Sequence, residues 1–544
     1  MSKGYKSFKR PIKVENLKRA KYKNINSKLS FAETLSENSI GDQLLSDSVE
    51  ENLKMLKSVF KDCFDIIFRK FTFGSLKIEG LLAYIEGIVD SKSINKNLLH
   101  SLMLDINDQS RDEPSDGQNL IDVIKNNSVT MGEIKEITSV KAAVKEILQA
   151  NCVLFIAGSP IALSLSTQEW EQRSVSEPIT ESVVRGPMEA FTEGLKTNIS
   201  LIRKRIKTPE LKMEKYEIGR ITKTQVVLSY IKGIADETVV DEIAKRLGRI
   251  DIDAINDSGE LEQLIQDSPF SPFPQTQYSE RPDIISASLA EGRITVLVDG
   301  SPFALILPAV FVHFLSSSED YYHGFYYGSF TRVIRYIAFA ITLLLPSVYV
   351  ALTTFHQEMI PPPLLTTLVA ARADIPFPAV VEALLMEFTF EILREAGIRL
   401  PKPIGQAVSI VGALVIGESA VNAGIASPAM VIIVAFTGIT SFVIPKYNQS
   451  IAVRLLRFPM VILAGSLGIF GIIMGLLFLL THMAALRSVG VSYLSPFAPV
   501  TLKDWKDTVA RLPKWLMLDR PTFMGQIDTQ RMKKGLKPGP GTGE

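Results

Sequence analysis

Val153-Leu-Phe-Ile-Ala-Gly-Ser-Pro-Ile-Ala-Leu163 is echoed by Thr295-Val-Leu-Val-Asp-Gly-Ser-Pro-Phe-Ala-Leu305. Each stretch has two apolar runs around Gly-Ser-Pro. Gly and Pro supply turn dihedrals, so each stretch predicts a hairpin of buried strands. An earlier pair accompanies them, Ala83-Tyr-Ile-Glu-Gly-Ile-Val-Asp90 and Ser229-Tyr-Ile-Lys-Gly-Ile-Ala-Asp236. The glycine landmarks are similarly spaced, Gly87 to Gly158 and Gly233 to Gly300. Two echoes in one order at near-equal spacing predict two related α/β subdomains. Each copy reads as a strand (225–231 in the second), a Gly-containing turn, a helix (239–247) and the closing hairpin. Between the copies, residues 183–206 read as a polar helix, with Pro187 in its first turn, where a missing N–H is harmless. Residues 268–282 are rich in Pro and Ser and read as a loop.

After Pro302 the chain turns apolar. Four stretches, 336–355, 404–422, 428–445 and 458–482, each come near the ~20 apolar residues needed to cross a bilayer. The shorter stretch 303–317 reads as interfacial or re-entrant. The fold class expected is therefore a duplicated α/β soluble N-terminal half followed by an all-α multi-pass membrane domain. The expected divisions are a basic disordered tail (1–30), subdomain 1 (31–168), a helical connector (169–214), subdomain 2 (215–310), a membrane domain with at least four transmembrane helices (311–485) and a basic cytoplasmic tail (486–544). The lysines and arginines of the last segment place it, and the N-terminal half, on the cytoplasmic side. Lys446, Arg454 and Arg457 conflict with this, since they fall in an expected external loop.

The formal net charge is +1, so no global field suited to nucleic acid is expected. The first 28 residues are strongly basic and no apolar core follows them, which excludes a signal peptide reading. This segment suits either a disordered tail or attraction to anionic membrane lipid. Cys63 and Cys152 are the only cysteines, which suggests reduced thiols rather than a disulfide framework. There is no phosphate-binding Gly loop, no His-Glu-x-x-His and no Gly-x-Ser-x-Gly elbow, and His356-Gln-Glu358 lacks helical metal spacing. No enzyme, metal site or cofactor is expected.

Several residues remain as candidates. In 404–422, Gln406, Ser409, Ala413, Gly417 and Ala420 share one helical stripe, which fits a water-filled pore or a close helix contact alike. Glu418 lies elsewhere on that helix. In 379–396, Glu387, Glu391 and Glu395 make a polar face, while Glu382 lies among Leu385, Met386, Phe390 and Leu393. A carboxylate there must pair, with Arg372 as one partner, or face a pore vestibule. Gly465, Gly468, Gly471 and Gly475 predict a helix-packing seam. Glu177, Glu181, Arg185, Glu189, Arg203, Lys204 and Arg205 are a solvated charged surface or a contact between subunits. Of these, Arg185, Glu189, Arg203 and Arg205 are the candidates for that contact.

Five blocks carry a resemblance. They are Arg173-Ser-Val-Ser-Glu-Pro-Ile-Thr-Glu-Ser-Val-Val-Arg-Gly-Pro187, Asn198-Ile-Ser-Leu-Ile-Arg-Lys-Arg-Ile206, Tyr230-Ile-Lys-Gly-Ile-Ala-Asp236, Leu352-Thr-Thr-Phe-His-Gln-Glu-Met-Ile-Pro361 and Leu400-Pro-Lys-Pro-Ile-Gly-Gln-Ala-Val-Ser-Ile-Val-Gly-Ala-Leu414. In this order, over about Phe60 to Leu512, they resemble the A subunit of the GerA family of spore germinant receptors. The resemblance implies a multi-pass protein of the spore inner membrane, with its N-terminal half on the cytoplasmic, core side. It implies a homo-oligomer, with a pentamer as the expected number, around a cation pathway that a germinant opens. A transporter-like B subunit and a lipoprotein C subunit are the implied partners. The resemblance favours a pore role for the Gln406 stripe. The chain departs from the family at Met188, where Arg is common, and at Glu418, where Gln is common. Two rival readings stay open: a non-conducting scaffold for the other subunits, and a solute transporter. The repeat lies in the soluble half rather than the membrane half, which counts against a transporter.

Overall fold

The computed structural model describes residues 43–73, 77–90, 94–99, 134–167, 178, 180–401, 417–525 and 528–539. Gln406, Ser409, Ala413, Glu177 and the basic segment 1–30 lie outside them. The described chain forms two compact units. One holds the residues up to Gln266, Thr276–Pro308 and the chain from Met517 onward; the other holds Asp267–Gln275 and Ala309–Leu516.

The first unit is the duplication. Its first copy runs α1 (Val49–Val59), β1 (Ile66–Phe73), β2 (Ile78–Ile85), β3 (Ile134–Ile137), α2 (Val140–Leu148), β4 (Cys152–Ile156) and β5 (Ala162–Leu165). The second runs α3 (Leu195–Arg205), β6 (Leu211–Ile218), β7 (Thr224–Ile231), α4 (Glu237–Gly248), α5 (Ser258–Ile265), β8 (Gln277–Ser279), α6 (Pro282–Ala290), β9 (Ile294–Val298) and β10 (Ala304–Leu307). The sheets have matching orders, β1-β2-β4-β5-β3 and β6-β7-β9-β10-β8, with every pairing antiparallel. The predicted Gly-Ser-Pro hairpins are β4–β5 and β9–β10, all buried. Gly158 and Gly300 take φ of +85° and +86°, which explains why glycine recurs at this turn.

Smaller details repeat as well. Asn52 Nδ2 donates to Ser46 O and Asn198 Nδ2 to Thr192 O, both at 2.6 Å, while the amides of Ser46 and Thr192 donate back to the Asn Oδ1 atoms. Gly158 N donates to Asp47 O, and Gly300 N to Glu193 O. Hence α3 is the leading helix of the second copy, as α1 is of the first.

The copies join at a buried ion pair. Arg203 Nε and Nη2 reach the Asp65 carboxylate at 2.6 and 3.0 Å, and both side chains are almost fully buried. Burial pulls the guanidinium pKa down, but Asp65 more than compensates and holds it above its usual value. Alongside, Met213 N donates to Asp62 O and Phe64 N to Met213 O, so the chain before β1 pairs with β6.

Three expectations are corrected here. The polar helix starts at Leu195, not Val183. Residues 180–192 are instead held as irregular chain by the second copy. Glu280 Oε1 accepts from Thr180 N, Thr180 Oγ1 and Glu181 N, while Arg281 donates to Glu181 O and Pro187 O. These tertiary bonds satisfy backbone groups that a helix would otherwise satisfy. The stretch read as a loop over 268–282 contains β8 and opens α6. The stretch read as interfacial over 303–317 begins as β10, a buried strand, because its apolar run completes the second sheet.

The second unit is helical: α7 (Phe311–Leu315), α8 (Glu319–Tyr322), α9 (Phe325–Thr354), α10 (Pro362–Arg372), α11 (Ala379–Arg399), α12 (Gly417–Asn422), α13 (Pro428–Val443) and α14 (Tyr447–Ala485). α9 and α14 are long and apolar enough to cross a membrane, and α13 is a shorter apolar helix. α14 is not one rod. Gly468 has φ +63° and ψ −142°, a region open essentially to glycine alone. A Cβ on Gly475 would lie 2.5 Å from Met460 Sδ, and one on Gly471 would press on the Leu463 backbone. In a continuous helix Gly475 and Met460 would be about 22 Å apart. The chain therefore reverses at Gly468, and residues 447–467 and 469–485 form a hairpin with legs of roughly 31 and 26 Å. The ends confirm it: Tyr493, just past the second leg, donates its hydroxyl to Gln449 Oε1 at the start of the first. The expected single span 458–482 thus straddles a reversal. Gly471 and Gly475 do pack closely, but against the first leg of their own hairpin, and Gly468 is its tip, against Phe355 and His356.

The segment expected as a basic tail is folded. Arg511 is buried and donates to Asp320 O and His323 O. Asp320 itself pairs with Arg332 at 2.9 Å and Arg335 at 2.7 Å, and Arg332 also pairs with Asp507. This knot anchors residues 502–512 to the start of α9. Further on, within the first unit, Arg520 pairs with Asp528 and donates to Ala290 O, and Arg531 pairs with Glu291.

Asp65→Ala strands a buried guanidinium and should destabilise the first unit by about 3–5 kcal/mol, while Asp65→Leu with Arg203→Met should recover most of that loss. Thermal unfolding of the purified full chain measures both. Gly468→Ala should cost about 1–3 kcal/mol in backbone strain alone. Its Cβ would also fall 2.7 Å from His356 Cε1. The expected result is reduced protein in membranes, whereas Gly539→Ala, which meets open space, should leave the level unchanged.

Candidate functional site in the helical unit

α11 carries its polar residues inward. Glu382, Glu387 and Arg394 are buried together with Ala379, Ala383 and Met386, whereas Leu385, Phe388 and Ile392 point outward. In water this helix would turn the other way. In an apolar surrounding the charges must find partners inside, and the hydrocarbon faces out. The sequence places Glu382 opposite Glu387, among Leu385, Met386, Phe390 and Leu393; in the structure Glu382 and Glu387 are buried together and Leu385 is exposed.

The partners come from α10, from α13 and its N-cap Ser427, and from the first leg of α14. Glu382 Oε1 accepts from Ser427 N at 2.6 Å and Ser427 Oγ at 2.5 Å, and its Oε2 lies 3.5 Å from Arg372 Nε. Ser427 caps α13, accepting from Met430 N, so one carboxylate ties α10, α11 and the start of α13 together. The expected pairing of Glu382 with Arg372 is present. One turn on, Glu387 meets Arg457 at 2.5 Å with both side chains 1 % exposed, and then Glu391 meets Arg454 at 2.6 Å. Arg394 donates to Ser441 Oγ at 3.0 Å and lies 4.1 Å over the Phe442 ring. Glu395 ends the row, exposed and paired with Arg399.

Close packing makes these contacts possible. Gly438 lets α13 approach Phe390 of α11, since a Cβ would sit 2.3 Å from its ring. Gly465 does the same for Val380, where a Cβ would be 2.5 Å away. Thr342 and Thr440 bond at 2.9 Å between α9 and α13. Arg457 lies about 15 Å along its leg from Tyr447, midway along that leg. Arg454 and Arg457, expected in a loop with Lys446, lie within the first leg of α14, and Lys446 is its N-cap residue. Helix α14 begins at Tyr447, and both arginines face α11. Sequence reading missed them as site residues, although Glu387/Glu391 at i, i+4 and Arg454/Arg457 at i, i+3 were the available signal.

The seam sets the guanidiniums of Arg372, Arg394, Arg454 and Arg457 against the carboxylates of Glu382, Glu387 and Glu391. The excess is positive, so this row is unsuited to conducting cations along itself. It is suited to latching helices in one arrangement. Glu387 Oε1 and the Arg457 Nε and Nη1 have no hydrogen-bond partner among the described residues, so the central pair is held by charge more than by geometry. Breaking and remaking such a pair is a two-state event.

The other candidates are dispersed. Gly417 is buried against Val431, and Glu418 is exposed. In the first unit Arg185 is exposed, while Glu189 pairs with Arg205 at 2.6 Å and Lys204 at 3.3 Å. Arg203 is committed to Asp65 inside the chain, so it cannot reach another subunit. No cluster of possible metal ligands occurs among the described residues.

Comparison with known proteins adds the following. The family model described as Bacillus/Clostridium GerA spore germination protein matches residues 54–523. The chain is 45 % identical over 498 residues to spore germination protein KA of Bacillus subtilis, covering 91 % of this chain and 90 % of that one. It is 44 % identical over 496 residues to the uncharacterized membrane protein YfkQ of the same organism, covering 91 % and 94 %. A crystal structure of the N-terminal domain of the A subunit of the Bacillus megaterium spore germinant receptor GerK3 is 38 % identical, covers 49 % of this chain and 98 % of that one, and gives a TM-score of 0.40.

Removing one member of the central pair should be worse than removing both. Glu387→Ala leaves Arg457 uncompensated in an apolar interior and should cost about 3–5 kcal/mol. Glu387→Leu with Arg457→Leu should restore most of the membrane-inserted protein, measured by quantitative blotting of the membrane fraction.

Proposed function

We propose, from the premise that this chain belongs to the Bacillus/Clostridium GerA spore germination protein family, that it is the A-type subunit of a nutrient germinant receptor in the spore inner membrane. In this reading copies of the chain, five in number, surround a pathway that conducts monovalent cations once a germinant binds. A transporter-like B subunit and a lipoprotein C subunit complete the receptor, and the α/β half lies on the core side of the membrane. The family is shared with proteins named for spore germination, such as spore germination protein GerLA of Bacillus cereus, 38 % identical over 493 residues.

The observation that carries the reading is the charged seam. Ionisable groups inside apolar helices mark function by default, because their burial is costly without a partner. Here the seam serves gating rather than conduction. Glu382, Glu387 and Glu391 lock α10, α11, α13 and the first leg of α14 in the closed arrangement. Release of the Glu387–Arg457 contact lets α11 shift. The pore itself is assigned to residues 404–422, with Gln406 and Ser409 as polar positions and Ala413 and Gly417 as small ones. Glu418 sits at the end of that stretch, where its exposure fits a vestibule.

The test is nutrient-triggered potassium release from spores carrying the wild-type chain or Ser409→Leu, with membrane protein levels checked. The expected result is release lost or slowed at normal protein level. Unchanged release at normal level removes Ser409 from the pathway and favours the reading of a non-conducting scaffold for its partners.

A further inference from the structure

The second α/β copy reaches the first through its leading helix. On α3, Lys196 Nζ meets Glu86 at 2.7 Å, Ser200 Oγ donates to Gly87 O at 3.1 Å, and Arg203 is locked to Asp65. The receiving groups lie together at one edge of the first copy, in the turn after β2 and just before β1. Because the copies are built alike, each side of this junction has a counterpart elsewhere in the chain.

The counterpart of α3 is α1, and the matching bonds of Asn52 and Asn198 fix their register. On that register Glu50, Lys54 and Lys57 stand where Lys196, Ser200 and Arg203 stand. On α3, Leu201 and Arg203 are buried, and Arg203 is buried against Asp65 of the first copy. On α1, Lys54 and Lys57 are exposed and Met55 is half-buried. The counterpart of the receiving edge is equally plain. Lys232 N donates to Glu210 O as Glu86 N donates to Asp65 O, so Lys232, Gly233 and Glu210 stand where Glu86, Gly87 and Asp65 stand. Lys232 is exposed, and Gly233 and Glu210 are half-buried.

The two open faces complement each other in charge. Where Lys196 faces Glu86 within the chain, the open faces offer Glu50 and Lys232, with the signs exchanged together. Where Arg203 faces Asp65, they offer Lys57 and Glu210. The shorter Lys is matched by the longer Glu, so the combined reach is kept. Lys54 brings an ammonium donor to the Gly233 carbonyl, where Ser200 brings a hydroxyl to Gly87. Glu50 is bonded to Lys70 in the single chain, an exposed contact that can be exchanged at little cost.

We propose that α1 of one copy of this chain docks on the edge formed by Glu210 and the Lys232-Gly233 turn of the next. The contact repeats, between chains, the junction that joins the α/β copies within one chain. It is heterologous, so it propagates head to tail and ends in a ring when the rotation closes. The inference rests on the homo-oligomer proposed above and supplies its subunit contact.

The test uses the full chain in membranes with Lys57→Cys and Glu210→Cys combined, treated with a short bis-maleimide linker. The native thiols give little background: Cys63 and Cys152 are both buried, and burial raises both their pKa values. The expected result is a ladder of linked chains, absent from either single-cysteine variant. Dimers from Lys57→Cys alone indicate a symmetric contact and overturn the proposal. A chain that is oligomeric by size yet gives no ladder overturns this interface and spares the oligomer; a monomer overturns both. As a second measurement, Lys57→Glu should lower the oligomer fraction and Lys57→Glu with Glu210→Lys should restore it. Failure of the double reversal to restore it, in folded protein, counts against the pairing.

Discussion

A charge carried on a helix with a hydrocarbon-facing exterior must be answered from inside, and this constraint organises the second unit. Glu387 and Arg457 are each almost fully buried and answer one another. For them to meet, α11 must turn its carboxylates inward, the first leg of α14 must present Arg454 and Arg457 to it, and α13 must begin where Glu382 can cap it. Gly438 and Gly465 supply the closeness that ion pairs of this length require. Gly468 then folds the second leg back, which returns the chain to the end where Tyr493 meets Gln449. The arrangement is a set of helices pinned by a few strong contacts, and such contacts have two natural states, made and broken.

Much of the first unit was legible in the sequence, for a physical reason. The repeated hairpins are local structures. Their strands are apolar throughout, and their turn needs a positive φ that glycine supplies, so composition and spacing report them directly. The chain before Leu195 was misread because its conformation is imposed from far away, by Glu280 and Arg281. Pro187 fits a first helical turn, but bonds to another part of the fold hold this stretch irregular instead.

The helical unit was legible in its apolar stretches and less so in its connections. Hydropathy identifies α9 and α13, but it cannot see the reversal at Gly468, because both legs of the hairpin are apolar and the break occupies a single residue. The charged seam was half visible. Glu382 and its partner Arg372 followed from the cost of a lone carboxylate on an apolar face. Arg454 and Arg457 did not, since a helix starting at Tyr447 rather than near 458 was needed to bring them onto α11. The stripe Gln406, Ser409 and Ala413 lies outside the described residues, and the proposal that it lines a pore rests on the family resemblance.

The measurement that bears most directly on the account is germinant-triggered potassium flux from vesicles reconstituted with the complete receptor, compared with vesicles lacking only this chain. The account predicts flux from the complete complex and none without the chain. Germinant-triggered flux of equal size from vesicles that lack it would contradict the claim that this chain forms the conducting pathway.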